Sequence, residues 1–229
     1  MDYLSEGLIK AVQLLFTGDQ ETYSAVFTTL KVSTLSITAS LLLGIPAGFL
    51  LGQYEFTGKR QIRAIVDTLL ALPTVVVGLF VYALISRRGP LGELGILFTI
   101  PGIAVAQTIL VLPIVISLTA TAIESLDRRL KGTLLALGAR GWQIIITSLL
   151  EARFAVLIAA ITAYGRAISE VGVSMMIGGN IKWHSRTITT AIALETGKGQ
   201  FTMGIALGMV LLLLAFTVNY LLILSRRRS

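Results

Sequence analysis

Apolar runs long enough to cross a bilayer recur along the whole chain, and this feature leaves few folds open. A helical crossing takes about 20 mostly apolar residues. Five such runs are read, over residues 24–52, 63–86, 101–123, 144–169 and 201–224. Only 14% of the residues are charged, against about 25% in an ordinary soluble domain, so these runs lack the polar surface that water demands. Lipid gives backbone groups no partners, and only helices and closed barrels satisfy their own. The alternating ten-residue segments of a barrel are absent. The expected fold class is therefore an all-α polytopic membrane protein with about five transmembrane helices.

Residues 1–22 read as a separate amphipathic segment ahead of a transmembrane domain over 23–229. Leu4, Leu8, Ala11, Val12 and Leu15 share one helical face, and Asp2, Ser5, Glu6 and Gln13 lie opposite. Such a helix lies in the membrane interface. Early acids, and no basic start or small-residue cleavage site, argue against a cleaved signal peptide.

The net charge of +7 comes from basic residues dispersed at span ends. No groove-sized basic patch interleaves with aromatics, so nucleic acid is not expected as a partner. Cysteine is absent and His184 is the sole histidine. Soft-metal, haem, thiol and histidine-based chemistry are excluded on that count. No G-x-x-x-x-G-K-[S/T] phosphate loop occurs. The expectation is no catalytic residue, no metal site and no cofactor in this chain. There is no duplicated half of the kind that builds inverted-repeat carriers.

Cytoplasmic loops favour Lys and Arg. One loop set holds Lys59, Arg60, Arg63, Arg128, Arg129, Lys131, Arg140, Arg226, Arg227 and Arg228; the other holds Lys10, Arg87, Arg88, Lys182, Arg186 and Lys198. The richer set goes inside. That puts the amino end outside and the carboxyl end in the cytoplasm, in a multi-pass plasma- or inner-membrane protein. Pro46, Pro73 and Pro113 fall inside spans and predict kinks, whereas Pro101 sits where a first helical position would be. Gly44, Gly48 and Gly78 suit close helix packing.

Two stretches carry candidate function. Residues 127–141, "DRRLKGTLLALGARG", are basic and cytoplasmic. Asp127 can cap a helix. Leu130, Leu134 and Leu137 then form a stripe away from Arg128, Arg129 and Lys131, Gly138 ends the helix, and a second begins near Gly141. A short helix with such a stripe lies in a groove, a partner's or the lipid interface.

The second stretch starts at "GRAISEVG", residues 165–172. Charge at membrane depth costs roughly 2.5–3.5 kcal/mol per residue on insertion scales. Arg166 and Glu170 are four apart and can pair on one helix. One reading is a neutral pair that locks neighbouring helices; the other gives Arg166 to an anion path, held by Glu170, with the Ser169 hydroxyl beside it. Gly178, Gly179 and Asn180 could present backbone N–H groups as an anion nest or simply end the span. A half-helix from about Ser185 would aim its positive end outward. Thr187, Thr189, Thr190 and Thr196 supply hydroxyls, or back-bond within their helix.

These stretches carry a family resemblance. The cytoplasmic one resembles the loop of ABC importer permeases, E-A-A-x-x-x-G, nine residues, then I-x-L-P. Gly138 matches the glycine, with Ala139 after it. Leu135, Ala136 and Leu137 match the run before it, Trp142 the bulky residue beyond it, and Leu150 the late leucine. Gly132 stands in place of the acid, Thr133 and Leu134 in place of the alanines, Ser148 in place of isoleucine and Glu151 in place of proline. "GRAISEVG", "GGNI" and "RTITTAIALET" are together similar to tungstate and molybdate permeases, the last two leaning to tungstate; "LPTVVVGLFVY" from Leu72 and "GPLGELGILFT" from Gly89 also fit.

The resemblance implies a bundle like that of type I ABC importer permeases. Two copies would pair, an ATPase dimer carrying ATP and Mg²⁺ would grip the cytoplasmic helix, and an extracytoplasmic tungstate-binding protein would deliver the dianion. It assigns Gly132, Thr133, Leu134, Leu137, Gly138, Ala139 and Trp142 to ATPase coupling. Arg166, Ser169, Glu170, Gly178, Gly179, Asn180, Thr187 and Thr190 fall to the path or its gate. Molybdate is the runner-up substrate, then sulfate or phosphate. A stand-alone channel or carrier is the reading outside the family.

Overall fold

A computed structural model describes residues 3–227, without the side chains of Arg128, Lys131 and residues 221–227. Asp2 and Arg228, and the side chains of Arg226 and Arg227, lie outside the described residues. The described helices are α1 (Tyr3–Phe16), α2 (Gln20–Gln53), α3 (Lys59–Leu69), α4 (Thr74–Ile85), α5 (Ile100–Glu124), α6 (Arg128–Ala136), α7 (Gly141–Glu151), α8 (Arg153–Ile168), α9 (Gly172–Gly178), α10 (Ile188–Gly197) and α11 (Phe201–Arg227), with a 3₁₀ turn at Gly92–Leu94.

The first, third and fifth expected spans are α2, α5 and α11. All three are long and apolar enough to cross a bilayer; the pairs α3–α4 and α7–α8 bring the number to five if each is one broken span. The second span breaks because Pro73 cannot donate to a helix and biases its predecessor away from helical backbone. It takes up extended backbone, φ −61 and ψ 126, at the head of α4. Pro46 and Pro113 remain inside α2 and α5. The fourth span bends by 67° between α7 and α8, at Ala152, where the sequence carries no proline or glycine. Thr99 heads α5 with its Oγ1 accepting from Gly102 N–H at 3.2 Å, so Pro101 lies in the first turn.

The chain divides into two compact units. One comprises Met1–Ser36, Pro73–Leu110 and Tyr164–Ser229, the other Ile37–Leu72 and Val111–Ala163.

In the first unit, Val32, Val77, Val81, Ile85, Ile103 and Ile177 belong to a core drawn from α2, α4, α5 and α9. A second core joins α1, α2, α10 and α11 through Ala11, Leu14, Ala25, Ile188, Ala191 and Leu207. Here α1 shows a second apolar face besides the expected stripe. The face against α11 is Gly7, Ala11 and Leu14. Gly7 is there because a Cβ would lie 2.5 Å from Ile205 Cγ2. Tyr3 meets Phe201 edge-on at 6.0 Å. Of the expected stripe only Ala11 is buried, and Leu4, Leu8 and Val12 stay exposed. The helix is thus apolar on two sides, one spent on α11.

In the second unit, α2 and α5 approach closely. Built Cβ atoms on Gly44, Gly48 and Gly52 would lie 2.8 Å from Val115 Cγ1, 2.7 Å from Ile116 O and 2.6 Å from Ala120 O. Four-residue spacing puts these glycines on one face of α2, the small-residue seam that lets membrane helices pack by backbone contact. Phe49, Ala122, Ile123 and Ala152 form the apolar core where α2 and α5 meet the α7–α8 bend.

Candidate functional site

Each unit holds one of the two candidate stretches. In the second unit, α6 begins where Asp127 accepts from Arg129 N–H at 2.8 Å, satisfying one of the free donors at the helix start. It ends in a left-handed residue, Gly138, with φ +77. The Ala139 N–H returns to Leu134 O at 2.9 Å and the Gly138 N–H to Leu135 O at 3.0 Å, the paired bonds of a Schellman cap. At the head of α7, the Arg140 N–H donates to Gln143 Oε1 at 2.6 Å. Both ends of the turn are therefore closed by local bonds.

The apolar side chains around this turn are not used internally. Leu137 is 78% exposed, Trp142 60% and Leu135 54%. Leu134, Leu137, Gly138, Ala139, Trp142 and Ile146 help line a shallow cavity of about 350 Å³. Leu130 and Leu134 are half-buried and Thr133 exposed. Gly132 is exposed, and a Cβ there would meet nothing within 4 Å. The space where the family pattern has an acid stands open.

In the first unit, Arg166 Nη1 meets Glu170 Oε2 at 2.7 Å. The pair does not sit within one helix, as the spacing suggests: α8 ends at Ile168, and Glu170 lies in the break before α9. From there Glu170 Oε1 accepts from Val173 N–H at 3.0 Å, capping α9. Its carbonyl accepts from Thr189 Oγ1 at 2.8 Å. Glu170 is 2% exposed, whereas the Arg166 side chain is 36% exposed. The carboxylate is the fixed partner, and the guanidinium keeps an open side. Ser169 is exposed, with its Oγ donating to Arg166 O at 3.2 Å.

Residues 178–180 end α9. Gly179 is left-handed at φ 66 and Asn180 at φ 51, and the Gly179 N–H is taken by Met175 O at 3.0 Å. Gly178 is enclosed, since a Cβ would reach Ile103 Cδ1 at 2.7 Å. The following helix starts at Ile188 rather than near Ser185, with Thr187 as its cap. Ser185 Oγ instead bonds Gly178 O. The Ile188 N–H is held by Thr29 Oγ1 at 2.9 Å and the Thr190 N–H by Thr187 Oγ1 at 3.3 Å. Thr187, Thr189 and Thr190 are buried and bonded to protein groups. Thr196 back-bonds to Ile192 O at 2.7 Å.

The pattern reading missed the groups that set this geometry. Gln107 is 2% exposed and bridges Ser36, Ala167 O and Ser174 at 3.2, 3.3 and 3.1 Å. Its signal is an amide in an otherwise apolar span. Glu21 pairs with Arg186 and Lys182, and Arg186 also reaches Asn180 Oδ1 at 3.1 Å. This holds the loop that follows α9 against the head of α2.

Apolar helices able to span lipid, an ion pair with a buried carboxylate at the break between α8 and α9, and a locally closed helical turn with unused apolar side chains define a helical membrane-transport permease. Residues 44–229 match the model of the binding-protein-dependent transport system inner membrane component. The chain is 49% identical over 221 residues to a tungstate uptake system permease of Campylobacter jejuni, covering 96% of this chain and 92% of that one. It is 37% identical to a tungstate uptake system permease of Peptoclostridium acidaminophilum, covering 96% of both chains. It is 30% identical to the molybdenum transport system permease of Escherichia coli, covering 90% of this chain and 96% of that one. Among solved structures, a bacterial alginate ABC transporter matches with a TM-score of 0.76 at 19% identity, over 96% of this chain and 83% of that one. The inward-facing methionine ABC transporter matches at 0.70 and 19%, over 91% and 94%. The chain belongs to the binding-protein-dependent transport permeases, and its fold is that of ABC importer permeases.

Proposed function

We propose that this chain is the membrane-spanning subunit of an ATP-driven importer for a tetrahedral oxyanion, with tungstate as cargo. Two copies pair in the membrane. An ATPase dimer, which carries ATP and Mg²⁺, grips residues 127–141 from the cytoplasm. An extracytoplasmic tungstate-binding protein supplies the dianion on the side of the amino terminus, and the carboxyl end faces the cytoplasm. The chain itself performs no catalysis. The observation that carries this reading is the Schellman-closed turn bearing exposed Leu137 and Trp142, in a chain with 49% identity to a named tungstate permease. Arg166 gives the path positive potential through its open side, and Glu170 fixes its place. The threonines around Thr187 build the wall beside it.

The test separates motor from cargo. Leu137→Glu puts a charge at the centre of the apolar patch, and Gly138→Val forces a β-branched residue into left-handed backbone. Each is expected to lower recovery of the ATPase with the permease roughly tenfold or more, the scale of losing a central contact. Full recovery with both variants refutes the docking assignment. Uptake of labelled tungstate that excess molybdate does not suppress supports tungstate; equal suppression favours the molybdate reading, which the 30% relative keeps open.

A further inference from the structure

Every third or fourth residue on one face of α3 bonds a matching residue on α5. Asp67 Oδ1 accepts from Ser117 Oγ at 2.7 Å. Arg63 Nη2 donates to Thr121 Oγ1 at 2.6 Å, and its Nη1 lies 3.5 Å from Glu124 Oε2. Lys59 Nζ lies 3.4 Å from Glu124 Oε1. Residues 59, 63 and 67 share one face of α3, and 117, 121 and 124 share one face of α5. The order is antiparallel, so the rungs form a polar ladder. It is continuous: Arg63 Nε also meets Asp67 Oδ2 at 3.3 Å, and Lys59 also holds Glu55 at 2.8 Å. Arg63 Nη1 is buried without a hydrogen bond of its own, and Glu124 is the charge that answers it.

The position of the ladder gives it meaning. Glu124 is the last residue of α5, three before the Asp127 cap of α6. Its neighbours Ala122 and Ile123 sit in the core with Leu126, and with Ile145 and Leu149 of α7. Val66 of α3 packs with Ala120 and Leu51 beside the same rungs. Polar rungs resist shear, because sliding by one turn would part Asp67 from Ser117 and Arg63 from Thr121 and Glu124, leaving the buried Nη1 of Arg63 without the charge that answers it. Apolar contacts alone would let α3 slip.

We propose that Lys59, Arg63, Asp67, Ser117, Thr121 and Glu124 are the positioning residues for energy coupling. They bind α3 to the cytoplasmic end of α5 so that both follow the coupling segment as one body through the transport cycle. The inference rests on the reading of residues 127–141 as the ATPase-coupling segment.

The test is a cysteine pair, Arg63→Cys with Thr121→Cys, in the full transporter. The chain has no cysteine of its own, so within this subunit the pair reacts alone. In the reduced state we expect the ATPase to co-purify and to hydrolyse ATP at no less than half the parental rate, while oxyanion taken up per ATP falls about fivefold or more. A short thiol cross-linker is expected to restore that ratio to within about twofold of the parent. An undiminished ratio in the reduced state, or cross-linked protein that cannot transport, overturns the proposal. Glu124→Gln provides the same ratio test if the cysteine pair fails to accumulate: a fall in uptake per ATP supports the ladder, and an unchanged ratio sinks it. Loss of the ATPase from the parental transporter instead indicts the coupling-segment reading, so the two failures are told apart.

Discussion

The double variant Arg166→Ala/Glu170→Gln is expected to accumulate in the membrane better than Arg166→Ala alone, and still to fail in oxyanion uptake. The asymmetry follows from burial. Glu170 is 2% exposed while the Arg166 side chain is 36% exposed. Deleting the arginine strands a carboxylate in a dry site, and breaking a buried pair from one side costs about 3–5 kcal/mol. Removing both charges is far less costly, because no unpaired ion remains. Glutamine at 170 can still accept from the Val173 N–H through its side-chain oxygen, the bond that caps α9. Membrane yield and thermal unfolding in detergent measure the packing role, and uptake by the well-folded double variant measures the path role. Normal uptake by that variant would reduce Arg166 to a helix lock. Glu170→Gln alone should fold, since the guanidinium can turn its open side to polar surroundings, and should retain part of its transport.

Gly48→Leu is expected to prevent stable assembly altogether. Its Cβ would lie 2.7 Å from both Ile116 O and Thr119 Cβ, and the first of these is backbone. A side chain tip could swing away; a carbonyl in the middle of α5 cannot. Overpacking costs about 1–3 kcal/mol where side chains can give, so the backbone clash sits at or above the top of that range. Gly52→Leu should behave alike, with Ala120 O at 2.6 Å. Gly208→Ala is the control, since nothing lies within 4 Å of a Cβ there. It should be neutral or slightly stabilising, as alanine improves a helix interior over glycine. The readout is the yield of monodisperse protein and its unfolding temperature. A wild-type profile for Gly48→Leu would disprove backbone packing between α2 and α5.

What the sequence discloses depends on the range of the force. Composition and run length mark α2, α5 and α11, because lipid imposes a single rule on long segments. Local chemistry marks the ends of α6: Asp127 as cap and Gly138 as stop are one-turn effects, visible in one-turn patterns. The pairing of Arg166 with Glu170 is also within reach of spacing, but its setting is not. The helix stops at Ile168, where Gln107, far away in sequence, bonds Ala167 O, and Glu170 turns to cap α9 instead. The bend at Ala152 has no local punctuation and belongs to the core that Ala152 shares with Phe49 and Ile123. The buried face of α1 escapes the pattern for a related reason. Periodicity shows which residues are apolar, not which apolar side meets protein and which meets lipid, and Gly7 does not register as apolar surface at all. The threonines at 187 and 190 are legible as hydroxyls, but their bonding to one another, and that of Thr29 to the Ile188 N–H, is a fact of packing.

The turn after α6 has a thermodynamic corollary. The N–H groups of Gly138, Ala139 and Arg140 are bonded within residues 134–143, so association with a motor need not order the turn. The ordering entropy that a flexible segment surrenders on binding has already been met in the isolated chain. Leu137 and Trp142 are presented as a preformed knob. Affinity can then be set by desolvating these side chains, and calorimetry should report a heat-capacity change matched to buried apolar area, with no added contribution from folding of the loop.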